Sequence, residues 1–410
     1  MTETRPLAPR AAARAGFVLA LLAGLLSVRR LAAQSTEPAK WYDRVQFQGD
    51  LRVRYDGIYQ NLDTEGDLRT RLRFRLRFGV EANVSRTVKA GFRLATNEGG
   101  DPTSGNVTLG SSLTSKEIAV DRAFITWAPG KVLSVTAGKF ASPLFRPAAV
   151  IRSEMVFDED YAPEGVHESL RLVNRSQGLV RGFTVHLAEW YVQEFSKGTD
   201  VFMLGGQGVL DLKPGERSSL TVAGGYYDYA RGKELAKSAN TNSQIKVSNS
   251  VVLKDGTLVE GGQLLKPDPA NPFDHYLYNF EMLSGAIAYQ RDRTVGDASL
   301  QLSLDVVHNA GASEDRLGWF VGVGLDNRKF PGWNLSAAWT HVEQEAVLGT
   351  YSYSDLGLGG SNQEGAVLQA QYRPNRNVTL SIRHHIVSPI KVVASSETVQ
   401  RLQADVAVAF

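Results

Sequence analysis

Five arginines recur at every second position between Leu68 and Ala82: Arg69, Arg71, Arg73, Arg75 and Arg77. Guanidinium groups hold their charge at any relevant pH and present a fork of N–H donors, so a row of them attracts and orients anions such as phosphates and carboxylates. Leu68, Leu72, Phe74, Leu76, Phe78 and Val80 fill the alternate positions, interrupted only by Thr70. A period of two describes a strand with one apolar and one charged face. In a soluble sheet, five stacked guanidinium groups repel with little in return. Around a water-filled tube in a membrane, the same pattern puts oil outside and charge inside. The segment therefore reads as one stave of a membrane-spanning β-barrel.

The neighbouring segments extend the charged wall. From Val45 to Tyr59, Phe47, Leu51, Val53 and Tyr55 share one face, and Gln46, Gln48, Asp50, Arg52, Arg54 and Asp56 the other. From Val88 to Asn97, Arg93 lies opposite Phe92 and Leu94. Arg52, Arg54, Arg69, Arg71, Arg73, Arg75, Arg77 and Arg93 are thus expected to line adjacent strands of an inner, pore-lining wall. The alternation continues to the end of the chain, where Leu402, Ala404, Val406, Val408 and Phe410 oppose Arg401, Gln403 and Asp405. Near 118–127 and 183–195 it falters, as bulges would make it do.

Connections between these segments alternate in length. Short turn-forming pieces such as Ser85-Arg86-Thr87, Pro129-Gly130-Lys131 and Phe330-Pro331-Gly332 alternate with long links at Glu98–Ser115, Ala141–Pro163, Arg231–His275 and Gln344–Gln363. Outer-membrane barrels carry short periplasmic turns and long outer loops in this order. The predicted fold is an all-β transmembrane antiparallel barrel of about sixteen strands with both ends in the periplasm. Aromatic residues near strand ends (Trp41, Tyr42, Tyr59, Trp127, Phe140, Tyr226, Tyr227, Tyr229, Trp319 and Trp333) suit interfacial girdles. The link 231–275 reads as a surface loop that lids or plugs the mouth.

Composition agrees with export. The 410 residues are 43% apolar, and there is no cysteine, so disulfides and thiolate metal sites are excluded. Residues 1–33 read as a cleaved signal peptide: a basic start (Arg5, Arg10, Arg14), an apolar stretch from Gly16 to Leu26, and Leu31-Ala32-Ala33 before the cut. The domain that remains is 34–410. The leader holds five arginines and Glu3, a net of +4, so the formal +2 of the whole chain becomes −2 without it. The basic balance gives no support for a nucleic-acid partner. Of seven histidines only His384 and His385 adjoin, on opposite faces of a strand, so no metal site and no cofactor is expected.

Trp41-Tyr42-Asp43-Arg44-Val45 followed by Gly49-Asp50-Leu51-Arg52-Val53-Arg54-Tyr55 resembles the opening of the bacterial "putative porin" family. Arg71–Arg77, Gly91-Phe92-Arg93-Leu94-Ala95 and Asp121–Trp127 ahead of Ala137-Gly138-Lys139 resemble its next strands; phosphate-selective porins are a more distant likeness. The resemblance implies a gated or open diffusion channel in a Gram-negative outer membrane, set in its lipid, with a homotrimer as one assembly open to it. Phe410 resembles the terminal signal read by the barrel-assembly machinery. By analogy with sixteen-stranded porins, the third long link folds inward. Its Glu154, Asp158, Glu159 and Asp160, with Glu164 just beyond, would form a constriction loop facing the arginines. Opposed charges there set a transverse field that orients dipolar solutes and tunes ion selectivity. The competing arrangement leaves the acids on an exposed loop and pairs the arginines within the wall.

The expected function is passive diffusion of small hydrophilic solutes or ions through the outer membrane, with a lean towards anions and no enzyme activity. Alternatives are a secreted β-sandwich that binds carbohydrate, an outer-membrane barrel enzyme, and an exporter. The sandwich leaves the terminal Phe410, the alternating link lengths and the arginine parity unexplained.

Overall fold

The computed structural model describes residues 41–60, 68–196, 198, 200–262, 264–391 and 398–410. The leader expected over residues 1–33 lies outside them. Contacts divide the chain into Met1–Asp43 and Arg44–Phe410, and the barrel belongs to the second unit.

Sixteen strands build it: β1 (Val45–Gln60), β2 (Leu68–Asn83), β3 (Val88–Thr96), β4 (Ile118–Trp127), β5 (Leu133–Lys139), β6 (Glu164–Asn174), β7 (Val180–Gln193), β8 (Val201–Gly215), β9 (Ser218–Ala230), β10 (Glu281–Val295), β11 (Ala298–Asn309), β12 (Leu317–Asn327), β13 (Gly332–Val342), β14 (Gln363–Arg373), β15 (Val378–Pro389) and β16 (Val399–Ala409). Each pairs antiparallel with its sequence neighbour. β16 returns to β1 from Asp50↔Ala409 to Gln60↔Val399, which closes the sheet. A single closed sheet disposes of the β-sandwich alternative and leaves no free edge in the membrane. At the seam, Gly49 and Phe410 exchange both backbone hydrogen bonds, 2.8 and 2.9 Å. A Cβ on Gly49 would lie 2.4 Å from the Phe410 ring, so glycine is what lets the ring seat there.

Burial is inverted relative to a soluble protein. Outward Leu72, Leu335 and Ile382 are 54–57% exposed, whereas inward Arg54 and Asp56 are 3% and 0% exposed. Such an outward apolar belt belongs in lipid. Where the alternation faltered, the ladder carries an extra residue: Arg93 pairs Arg122 and Leu94 pairs Val120, which leaves Asp121 bulged, and β6–β7 slips between Phe183 and Thr184.

The long links are numbered L1 to L8 in chain order; among the described residues, those of L2, L3, L5 and L7 gather at the end opposite the short turns. L5 (231–280) holds a 3-10 helix at Gly232–Asn240 and a small sheet of Val251–Leu253, Leu258–Val259 and Phe273–Tyr276. With L3 (140–163) and L7 (343–362) it shares an apolar core that includes Phe157, Tyr161, Trp190, Tyr276, Phe280, Leu348 and Tyr351. Phe140, Tyr227 and Tyr229 join that core at 0–3% exposure. They are therefore not girdle residues: their side chains point inward, where the infolded loops supply the apolar cover that lipid supplies outside.

Candidate functional site

Register brings like charges face to face. Arg52 pairs Arg75 and Arg54 pairs Arg73 across β1–β2, an arrangement that repels unless acids intervene. The same register sets Asp50 opposite Arg77 and Asp56 opposite Arg71, and β16 brings Asp405 opposite Arg54. Arg54 holds Asp405 bidentately, Nε and Nη2 donating at 2.7 and 2.8 Å. Arg77 Nε donates to Asp50 at 2.7 Å, and Arg71 donates to Asp56. Arg73 lies 3.8 Å from Asp56 and 4.0 Å from Glu98. Arg93 is hydrogen-bonded to the bulged Asp121, with Arg122 at 3.6 Å. Arg52 donates to the Asn106 side chain at 2.8 Å. Arg69 sits exposed near the loop end of β2.

L3 crosses the bore. On the β8–β11 side, Gln207 brackets Phe145 through its amide and carbonyl (2.7 and 3.0 Å), and Ser153 donates to Asp305 at 2.6 Å. On the far side, Arg75 and Arg77 donate to Asp160 at 3.1 and 3.2 Å, and Glu159 lies 3.7 Å from Arg75. Of the acids expected to face the arginines, Asp160 and Glu159 are brought to them. Glu154 and Asp158 line the same pocket as Arg52, Arg54 and Arg75 without an ion pair to them, and their carboxyl groups hold the loop's own shape. Glu154 accepts the Glu159 N–H at 2.7 Å, and Asp158 accepts the N–H groups of Asp160 and Ser354 at 2.8 and 2.9 Å. Glu164 opens β6 and pairs with Lys139 at 2.6 Å, clear of the arginines.

Protonation follows from these placements. Burial opposes charge on Asp160, but Arg75 and Arg77 win and bring its carboxyl down to about 2. Burial, with Asp160 adding repulsion, lifts Asp158 to about 8 against its two N–H donors. Burial beside Asp158 and Glu159 pushes Glu154 well above the usual range. Burial thus favours the neutral form of both. The wall then carries Arg52, Arg54, Arg69, Arg71, Arg73, Arg75, Arg77, Arg93, Arg122, Arg383 and Arg401 against Asp50, Asp56, Glu98, Asp121, Glu159, Asp160, Asp355 and Asp405. Positive charge is in excess by three with Glu154 and Asp158 neutral, and by one with both charged.

Because the folded Asp158 value lies above the ordinary carboxyl value, the contribution of Asp158 to L3 docking is fully present below about pH 4 and is lost as pH climbs through about 8. Trypsin cleavage after Arg152, an exposed residue of L3, is expected to accelerate several-fold from pH 7 to pH 9, relative to cleavage after Lys254 in L5. Asp158→Asn should flatten that dependence.

Several wall residues escaped the arginine pattern. Arg401 and Asp405 were legible from the parity of β16, and Arg122 was hidden by the bulge at Asp121. Asp355 in L7 carried no local signal. It accepts from Arg54 Nη1 at 2.6 Å and Arg401 Nη2 at 2.8 Å. L2 (97–117) also folds in: its Val107–Thr108 pairs with Arg73 and Phe74 of β2. Beside these contacts a pocket of about 330 Å³ is lined by Arg52, Arg54, Arg75, Arg383, Glu159, Asp160 and Asp355 among others. Among the described residues, no group of three or more His, Asp or Glu is disposed to hold a metal ion.

A family model described as "Putative porin" matches residues 60–262 and 279–410. No curated protein matches the chain at a significant level. Among solved structures, the chain is similar to OprB of Pseudomonas putida (12% identity over 90% of this chain and 95% of that one, TM-score 0.56). It is also similar to OmpF of Salmonella typhi (10%, 89% and 97%, TM-score 0.53) and to an anion-selective porin from Comamonas acidovorans (12%, 89% and 99%, TM-score 0.50). At these identities the structural likeness speaks for the sixteen-stranded fold alone.

Proposed function

The chain belongs to the "Putative porin" family, an outer-membrane channel by family and fold rather than an enzyme, and we propose that it passes small hydrophilic solutes by diffusion with a preference for anions. The observation that carries the preference is the wall's composition: eleven arginines against ten carboxyl groups even with Glu154 and Asp158 counted, and burial of those two widens the excess. In this reading the eight arginines Arg52, Arg54, Arg69, Arg71, Arg73, Arg75, Arg77 and Arg93 line the path, and L3 narrows it by setting Asp160 and Glu159 against them. Most guanidinium groups are partnered, so the preference is moderate. Arg52 supports it most directly, since no carboxylate lies within 4 Å of it among the described ion pairs while it lines the pocket of about 330 Å³.

Purified protein in a planar bilayer under a potassium chloride gradient should give discrete conductance steps and a reversal potential on the chloride side. A reversal potential on the potassium side sinks the anion preference, and silence under all conditions sinks the diffusion channel.

Phe410 supports a second part of the proposal: it is the residue that the barrel-assembly machinery reads. Its ring packs over Gly49 at the seam, so it acts both as signal and as closing contact. Deleting Phe410 should lower the amount of heat-modifiable barrel in outer membranes at least several-fold, read on unheated gels. The family likeness also supports a homotrimer, which crosslinking in native membranes would show as a band of three copies.

A further inference from the structure

Asp355 is the one carboxylate of its cluster that a loop delivers. The cluster's other acids, Asp56 and Asp405, sit on β1 and β16. Arg54 spends Nε and Nη2 on Asp405 and presents Nη1 to Asp355; Arg401 donates Nε and Nη2 to Asp56 at 2.7 and 3.1 Å, and the same Nη2 donates to the other oxygen of Asp355 at 2.8 Å. A carboxylate is therefore held between two guanidinium groups, one oxygen on each. Both arginines are 3% exposed, so without that carboxylate Arg54 Nη1 would be left buried with no acceptor and Arg401 with Asp56 alone as counter-charge, a costly state that favours a replacement of like chemistry. Arg54 and Asp355 border the pocket of about 330 Å³, room enough for a small solute to reach Arg54, and displacement of Asp355 would open the way to Arg401 behind it.

The base and the tip of the loop are held by different contacts. The base is clamped by L5, where Asn249 Nδ2 donates to the carbonyls of Gln344 and Val347 at 2.7 and 2.8 Å and the Ser250 N–H donates to Glu345 at 2.9 Å. The tip, 352–360, ends in Gly357, Gly359 and Gly360 at φ of +52°, +90° and +87°, a run that can change backbone conformation at little steric cost. Asp355 is the tip's one charged residue; the tip's other holds are the Ser354 N–H on Asp158, Ser354 Oγ on the Thr103 carbonyl at 3.1 Å, Arg401 Nη1 on tip carbonyls at 3.1–3.5 Å, Arg383 Nη1 on the Tyr353 hydroxyl at 2.8 Å, and the packing of Tyr353 and Leu356 against Phe320, Val367 and Val387, all of which release must break.

We propose that Asp355 is a tethered stand-in for a solute carboxylate: a small free carboxylate takes its place between Arg54 and Arg401 and releases the tip of L7 from the bore. The site thereby couples recognition of a carboxylate solute to widening of its own path. This rests on the reading of the barrel as a solute channel, and binding measured in detergent separates the two, since it needs no conductance.

The test is calorimetric titration of purified, heat-modifiable barrel with succinate. Asp355→Asn should bind succinate at least tenfold more tightly than the parent, because the competitor is gone, and adding Arg54→Gln should abolish the gain. Equal affinity in parent and Asp355→Asn, or a gain that survives Arg54→Gln, overturns the proposal. Should Asp355→Asn fail to fold, the parent alone decides: hydrogen exchange across 352–360 should quicken with 100 mM succinate but not with potassium chloride of equal ionic strength, and unchanged exchange overturns the proposal equally.

Discussion

Replacing Arg73 and Arg75 with glutamate together should turn the channel from anion-preferring to cation-preferring. The double substitution moves the wall by four charges, which outweighs the excess of three. At an effective dielectric near 20, a unit charge about 10 Å from a passing ion is worth about 1–2 kcal/mol before screening by salt. A roughly tenfold swing in the anion-to-cation permeability ratio is therefore expected, read as a change in sign of the reversal potential. A second consequence separates this from a simple charge effect. Arg75 anchors Asp160 and lies near Glu159, so glutamate there also repels L3, and single-channel conductance should rise as well. Unchanged reversal potential in a folded variant would place these side chains off the path.

Asp56→Ala should cost the barrel about 3–5 kcal/mol, the usual penalty for removing one partner of a buried ionic cluster. Asp56 is fully buried and is shared by Arg71 and Arg401, with Arg73 3.8 Å away. Its loss leaves three guanidinium groups around one vacated position on adjacent strands. The measurement is the urea midpoint for the shift from folded to unfolded mobility on unheated gels. Arg401→Leu in the same background should recover part of the loss, because it removes a charge that Asp56 no longer answers. A midpoint unchanged by Asp56→Ala would mean that water or ions already screen the cluster.

The barrel was legible in the sequence because its physics is local. A two-residue period, alternating link lengths and a terminal Phe410 each follow from strands that separate lipid from water, and sixteen strands emerged from counting them. The charged wall was legible for the same reason, since parity alone assigns Arg52 through Arg93 to one face. What parity cannot supply is the partner of each charge. Asp405 meets Arg54 only because β16 closes on β1, 351 positions apart in sequence, and Asp355 arrives from a loop with no period at all. Parity also misassigned residues whose environment is set by loops. Tyr227 and Tyr229 look like girdle aromatics by position, yet L3, L5 and L7 bring an apolar core inside the mouth to meet them. Composition placed Glu154 and Asp158 beside the arginines, whose pocket they do line, but not the backbone N–H groups of Glu159, Asp160 and Ser354 that their carboxyl groups accept. The expected signal peptide lies outside the described residues.

The claim beneath all of this is that side chains of one parity touch lipid while those of the other touch water. The chain has no native cysteine, so single nitroxide labels can be placed cleanly at Leu72, Phe74, Leu76 and Ile382 on the outward parity and at Gln371 and Ser381, which line the inner pocket. Collision with oxygen should dominate at the first four in reconstituted membranes, and collision with a water-soluble nickel chelate at the last two. Chelate access at 72, 74 and 76, with oxygen dominant at 371 and 381, would contradict the account at its root.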